Sequence, residues 1–289
     1  MTTARNSLTF LYRGSFSACN YACDYCPFAK TDATDAVLET DRRELKRFVE
    51  HIESGAYRNV SLMFIPWGEA LVHEHYQQAM VSLSRCASVQ TVVVQTNLSI
   101  VPHWIRNCDH EKIALWCTFH PTQTDVNSFL HRLEILEHHA VRYSVGVVGR
   151  DDLFDDAMLL RNRLPSHVTM WVNPLDDDIK MYSPELLKKW SQIDPLFPLT
   201  AKKRLTAGTK CRCGNSVFTI SGNGDLHRCP FAKKTLGHLY AGLLPKNDPS
   251  CPNECCDCFI GYIHWESDSF RKHYAEPPMA RITHNGSDY

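Results

Sequence analysis

Thirteen cysteines fall mainly into two distant groups, and no other feature constrains the chain as strongly. Cys19, Cys23 and Cys26 share one short loop, whereas Cys211, Cys213, Cys229, Cys251, Cys255, Cys256 and Cys258 crowd a second region interspersed with Gly, Pro and Asn. Met1 to Ser15 contains one early Arg but no sustained apolar stretch and no small-residue cleavage site. The chain is therefore expected to be cytoplasmic, where thiols stay reduced. With an odd total as well, the cysteines read as metal ligands rather than a disulfide framework. Cys86, Cys108 and Cys117 lack ligand spacing and are expected to pack as small hydrophobes.

Between the two groups, short β-rich apolar runs alternate with segments of helical period, which predicts βα units and a parallel sheet. Strands are expected at Leu8 to Tyr12, Val60 to Ile65, Thr91 to Val94, Ile113 to Phe119, Tyr143 to Val148 and Val168 to Val172. Asp41 and Glu44 read as a capping box ahead of Leu45, Phe48, Val49 and Ile52. Later helices carry Tyr76, Met80 and Leu83, then Phe129, Leu133, Leu136 and Ala140, then Leu153, Ala157, Leu160 and Leu164. Six such units predict an α/β fold, an open, partial (β/α)6 TIM-like barrel with its ligand-binding loops at the carboxyl ends of the strands. Pro184, Pro195 and Pro198 surround one further helix, Pro184 to Trp190, and place a boundary near residue 200. The barrel is expected over 1–200 and a small Cys-rich domain over 201–289. The Asp176 to Asp178 run is expected to face water.

Charge excludes some functions. The chain has 31 Lys and Arg against 32 Asp and Glu, a net charge of −1, so nothing favours duplex nucleic acid as a partner. The longest apolar runs, such as Leu62 to Trp67, fall far short of the ~20 residues that span a bilayer, so no membrane partner is expected.

The first cysteine group has C-x3-C-x2-C spacing, which brings three thiolates around one cluster. A cubane of four irons held by three thiolates keeps one iron open to a small molecule, as a catalytic zinc site keeps a free position. With its place after the first strand, this loop resembles that of the radical S-adenosylmethionine (SAM) enzymes. The resemblance implies a [4Fe–4S] cluster on Cys19, Cys23 and Cys26 whose open iron binds SAM. Tyr25 holds the aromatic place before the last Cys, near the adenine. Gly68 and Glu69 resemble the family's Gly-Gly-Glu turn, which binds the methionine amino group, although Trp67 stands where the first Gly belongs. Weaker matches are Thr96, Asn97, Ser99 and His120 after the third and fourth strands, and Gly146 with Gly149 in the fifth. The implied reaction is reductive cleavage of SAM to a 5′-deoxyadenosyl radical that abstracts a substrate hydrogen. An electron donor such as flavodoxin or ferredoxin is implied too.

In the second group, Val217 to Ile220 and Leu226 to Arg228 flank a Gly-rich turn and read as a hairpin that brings Cys211 or Cys213 beside Cys229. The region resembles the SPASM or twitch extension behind many radical SAM cores, including its Gly224-x4-Cys229 element. One auxiliary [4Fe–4S] cluster on Cys211, Cys229, Cys255 and Cys258 is favoured, with Cys213, Cys251 and Cys256 as rivals. Structural zinc has the same ligand count. Enzymes of this kind often modify a peptide or protein, or oxidise a small metabolite, and peptide maturation is marginally preferred. His227, Arg228, His264, Trp265 and Arg281 are candidate substrate contacts, for which surface or packing roles are favoured. The competing non-enzymatic reading is a cysteine-rich zinc-binding module. Cys-Pro-Phe-Ala-Lys also occurs twice, at Cys26 to Lys30 and Cys229 to Lys233, which the sequence alone leaves as chance.

Overall fold

The computed structural model describes residues 8–28, 32–175, 182–202, 204–242, 244–245, 250–256, 258, 272–274 and 278–283. The Asp176 to Asp178 run, His264 and Trp265 lie outside them. Six parallel strands follow one another in space as in sequence: β1 (Thr9–Tyr12), β2 (Val60–Phe64), β3 (Val89–Thr96), β4 (Ile113–Thr118), β5 (Arg142–Val148) and β6 (Met170–Asn173). They are rich in β-branched and aromatic residues and buried on both faces, as parallel strands under crossover helices must be. The crossovers are α1 (Asp35–Glu53), α2 (Glu74–Arg85), α3 (Val126–His138) and α4 (Phe154–Arg163), followed by α5 (Pro184–Trp190) and a single turn, α6 (Phe197–Thr200). The result is the expected α/β architecture of a partial TIM-like barrel. No helix among the described residues is long and apolar enough to cross a membrane.

The sheet extends beyond these six strands. β7 (Arg204–Leu205) pairs with β11 (Cys255–Cys256) in a separate ribbon. The predicted hairpin is present as β8 (Val217–Ile220) and β9 (Asp225–His227), with β10 (Thr235–His238) beside it. β8 runs parallel to β1, Thr9 opposite Val217, so the sheet order is β10-β9-β8-β1-β2-β3-β4-β5-β6. The Cys-rich region is thus hydrogen-bonded directly to the strand that leads into the first cysteine loop.

Alternation along the strands divides the core in two. Phe10, Tyr12, Leu62, Phe64, Val92 and Val94 face the helices. Leu11, Met63, Ile65, Val93, Trp116 and Trp171 face the barrel interior. Residues 278–283 pass through that interior. There Ser144 donates to the Ala280 carbonyl, Thr283 N donates to Thr169 Oγ1 at 3.1 Å, and Arg281 is buried with its guanidinium 5.0 Å from Trp116 and 4.7 Å from Trp171. Gly146 is explained here by packing: a Cβ on it would lie 2.0 Å from the Trp171 indole. Cys108 and Cys117 are buried in the helix-facing core, and the half-buried Cys86 packs against it.

The expected capping box at Asp41 is corrected by the structure. The helix begins earlier, at Asp35, with Thr34 Oγ1 as its cap on Val37 N at 3.4 Å. Asp41 lies one turn before Leu45 and on the same face, so it turns inward and is fully buried. There it accepts hydrogen bonds from Phe16 N and the Tyr76 hydroxyl, each at 3.0 Å, and lies 3.2 Å from His75 Nε2. The carboxylate fastens the start of the cysteine loop to α1 and α2. Asp41→Ala leaves those buried donors unmatched and is expected to cost about 3 kcal/mol. Asp41→Asn, which keeps an acceptor, should cost less. Urea unfolding midpoints measure both.

Candidate active site

The carboxyl ends of β1 to β6 open onto one cavity of about 300 Å³. The loop after β1 brings Cys19, Cys23 and Cys26 to its wall, and Tyr25, Gly68, Glu69, Thr96, Asn97 and His120 line it as well. Ser99 stands behind this wall, its hydroxyl accepting from Asn20 Nδ2 at 2.9 Å. Asn97 Nδ2 donates to Asn20 Oδ1 at 3.1 Å and to Cys19 Sγ at 3.7 Å, so the end of β3 grips the cysteine loop. Gln123, which the sequence did not single out, holds the loop from β4's side by accepting from Ala22 N at 3.0 Å.

Glu69 ties the strand ends together. Its backbone N–H donates to the Ala18 carbonyl at 3.0 Å, just ahead of Cys19. Its buried carboxylate accepts from Leu71 N at 3.0 Å, Thr96 Oγ1 at 2.9 Å and Asn97 N. Burial pushes the carboxyl up to about 7, outweighing the three hydrogen bonds that pull it down. The close approach depends on Gly68, whose φ is +152° and whose added Cβ would lie 1.8 Å from the Ala18 oxygen. Trp67, by contrast, is not among the described residues of positive φ, so replacing the family's first Gly brings no backbone strain. Its side chain instead packs against Phe28, with ring centroids 4.4 Å apart.

His120 and Tyr25 form the opposite wall. Their rings stack at 5.9 Å with 15° between planes, and the Tyr25 hydroxyl shares a 2.9 Å hydrogen bond with His120 Nδ1. Cys23 Sγ lies 3.5 Å from the same nitrogen. Burial pushes His120 down to about 4, so the imidazole is neutral, and it raises the Cys19 and Cys23 thiols and the Tyr25 phenol. Three soft sulfur donors with no carboxylate among them suit an iron–sulfur cluster. Among the described residues, no three His, Cys, Asp or Glu side chains gather around a point fit for a single metal ion. A cubane asks for less convergence, because each thiolate binds a different iron.

A second, smaller cavity is lined by Cys211, Cys213, Cys229, Cys251, Cys256 and Cys258. Cys255, expected among the ligands, is not on this wall: it precedes Cys256 in β11, and neighbouring strand residues point to opposite faces. Cys213 lies beside both Cys211 and Cys229 and lowers those thiols to about 7 and about 6, while Cys213 itself is raised by burial. Arg228 joins this wall, and Cys258 lines the larger cavity too.

No protein-family model matches the chain, and no curated protein matches it in sequence. Solved structures do match in fold. anSMEcpe with bound AdoMet is similar at 14% identity, over 82% of this chain and 76% of that one, with a TM-score of 0.53. The same protein with AdoMet and the Cp18Cys peptide gives 15% identity over 81% and 78%, with a TM-score of 0.52. With the Kp18Cys peptide it gives 14% over 81% and 78%, at 0.53. The chain shares the fold of these structures.

Within this fold, two buried carboxylates set a pH dependence. Glu69, near 7, and Asp194, raised by burial to about 6, both have folded values above their unfolded ones. The folded chain then holds more protons than the unfolded one between about pH 4 and 7, so stability falls as pH rises through that window and levels off above it. Glu69→Gln should remove Glu69's share of that slope, on the order of 3 kcal/mol, in urea unfolding of the metal-free chain. Gly68→Ala should separate Glu69 from the Ala18 carbonyl and cost about 2 kcal/mol, read from the urea unfolding midpoint.

Proposed function

We propose that this chain is a radical SAM enzyme, with Cys19, Cys23 and Cys26 holding a [4Fe–4S] cluster beside bound S-adenosylmethionine. What carries the reading is the convergence of these three thiols with Tyr25, Gly68, Glu69, Thr96, Asn97 and His120 on one cavity at the strand ends. A cluster held by Cys19, Cys23 and Cys26 would supply the electron for reductive cleavage of SAM, the chemistry that ends in abstraction of a substrate hydrogen. Glu69 offers a carboxylate to the ammonium of the methionine part, and Thr96 and Asn97 hold that carboxylate in place. A cation arriving there would offset the burial that keeps the carboxyl near 7. The stacked Tyr25 and His120 rings give a flat wall for the adenine. The surrounding barrel keeps water and stray hydrogen donors away from the radical.

The second thiol group serves, in this reading, an auxiliary [4Fe–4S] cluster whose ligands come from the six cysteines lining the smaller cavity. A fully thiolate-bound cluster there suits electron relay. Cys258 lines both cavities, which favours communication between the two centres. The substrate is a peptide or protein, or a small metabolite to be oxidised. That anSMEcpe binds peptides alongside AdoMet favours the first. Flavodoxin or ferredoxin is the proposed source of electrons.

Anaerobic reconstitution tests these assignments. Cys23→Ala should abolish 5′-deoxyadenosine formation from SAM and reductant, and formation at the wild-type rate would remove the loop from the mechanism. Two cubanes require about eight irons per chain. Cys256→Ala should fall to about four while Cys255→Ala keeps about eight. Zinc with little iron would instead favour a structural metal module.

A further inference from the structure

One cation at the cavity mouth has no carboxylate partner among the described residues. Arg13 leaves the end of β1, its backbone N–H donating to the Ile220 carbonyl of β8 at 2.9 Å. Its guanidinium lies over the Trp67 ring, 3.8 Å from the centroid, and it lines the larger cavity. Nε is buried with no hydrogen-bond partner, and no described carboxylate pairs with the group. Arg150, over the Tyr25 ring, is by contrast matched, binding Asp24 at 2.7 Å and Asp152 at 2.6 Å. Burial lowers Arg13 to about 10, which leaves it charged at neutral pH. The Cys258 thiol favours its charge from the Cys-rich side, and the buried guanidinium's two-pronged donor fork suits a carboxylate.

The surroundings narrow the occupant further. Phe28 packs on Trp67, and Phe231 lines the same cavity from the Cys-rich side. These two rings, 43% and 47% exposed, come from the two Cys-Pro-Phe-Ala-Lys copies, so the repeat places an apolar ring on each side of one opening. Arg13 is on the β1–β8 side with Phe231 and Cys258, whereas Glu69, Asn97 and His120 follow β2, β3 and β4.

We propose that Arg13 anchors a carboxylate of the substrate at this mouth, with Trp67, Phe28 and Phe231 receiving an adjoining aromatic or branched apolar group. The inference rests on the function proposed above and specifies its substrate class: an amphiphilic acid, either the free carboxylate of a peptide or a small organic acid.

The test uses the full chain, reconstituted anaerobically and saturated with AdoMet, with binding followed by calorimetry. 3-Phenylpropionate should bind at least about tenfold more tightly than its neutral amide, and Arg13→Met should erase that preference while Arg13→Lys keeps part of it. N-acetyl-glycyl-phenylalanine against its C-terminal amide probes the peptide source. Preference for that free acid well beyond that of 3-phenylpropionate supports a peptide, and preference confined to 3-phenylpropionate supports a small acid. Equal binding of acid and amide by the wild-type chain overturns the proposal without relying on any variant. AdoMet affinity is measured on the same samples. If Arg13→Met weakens AdoMet tenfold, the anion is AdoMet's own carboxylate and the proposal fails. If the wild-type chain binds no AdoMet at all, the radical SAM reading fails first.

Discussion

Three donors from two strand ends converge on the buried carboxylate of Glu69, while its backbone holds the segment that enters the cysteine loop. This knot sets the relative positions of everything on the cavity wall. Without it, β2, β3 and the thiol loop would be independent surface turns, and short turns on their own do not keep a cavity in register. The knot also explains why Gly68 cannot carry a side chain: the two backbones touch there. A carboxylate so enclosed is left short of charge compensation, and that is the electrostatic condition under which an incoming cation is recognised.

Much of this was legible from the residues. The six parallel strands appear close to where the apolar runs lie, and the helix Pro184–Trp190 appears at its expected bounds, because Pro and its neighbouring Ser183 cap mark a start with little ambiguity. The cysteine loop was legible because spacing within one loop needs no knowledge of distant contacts. Asp41 misled the reading because an acidic residue before an apolar run is the same pattern whether it caps a helix or sits inside one. Only the partners, Phe16 N and Tyr76, decide it, and they lie far along the chain.

The Cys-rich region shows the same limit more sharply. Its hairpin was visible from local turn chemistry, but its pairing with β1 was not. Nor did spacing show that Cys256, rather than its neighbour Cys255, lines the smaller cavity, since that depends on which face of a two-residue strand meets it. The two Cys-Pro-Phe copies looked accidental along the chain and meet at one opening in space. Arg13 left no signal beyond its place directly after a strand, and its lack of a carboxylate partner among the described residues is a property of the folded molecule alone.

The passage of residues 278–283 through the barrel interior bears on biogenesis. Trp116 and Trp171 obtain their Arg281 partner, and Ser144 and Thr169 their hydrogen bonds, from a stretch that leaves the ribosome after every strand of the sheet. β1 likewise waits for β8 to cover its flank. In a nascent chain the barrel interior therefore stays unfilled until residues 278–283 have followed the strands, and such long-range closure is slow.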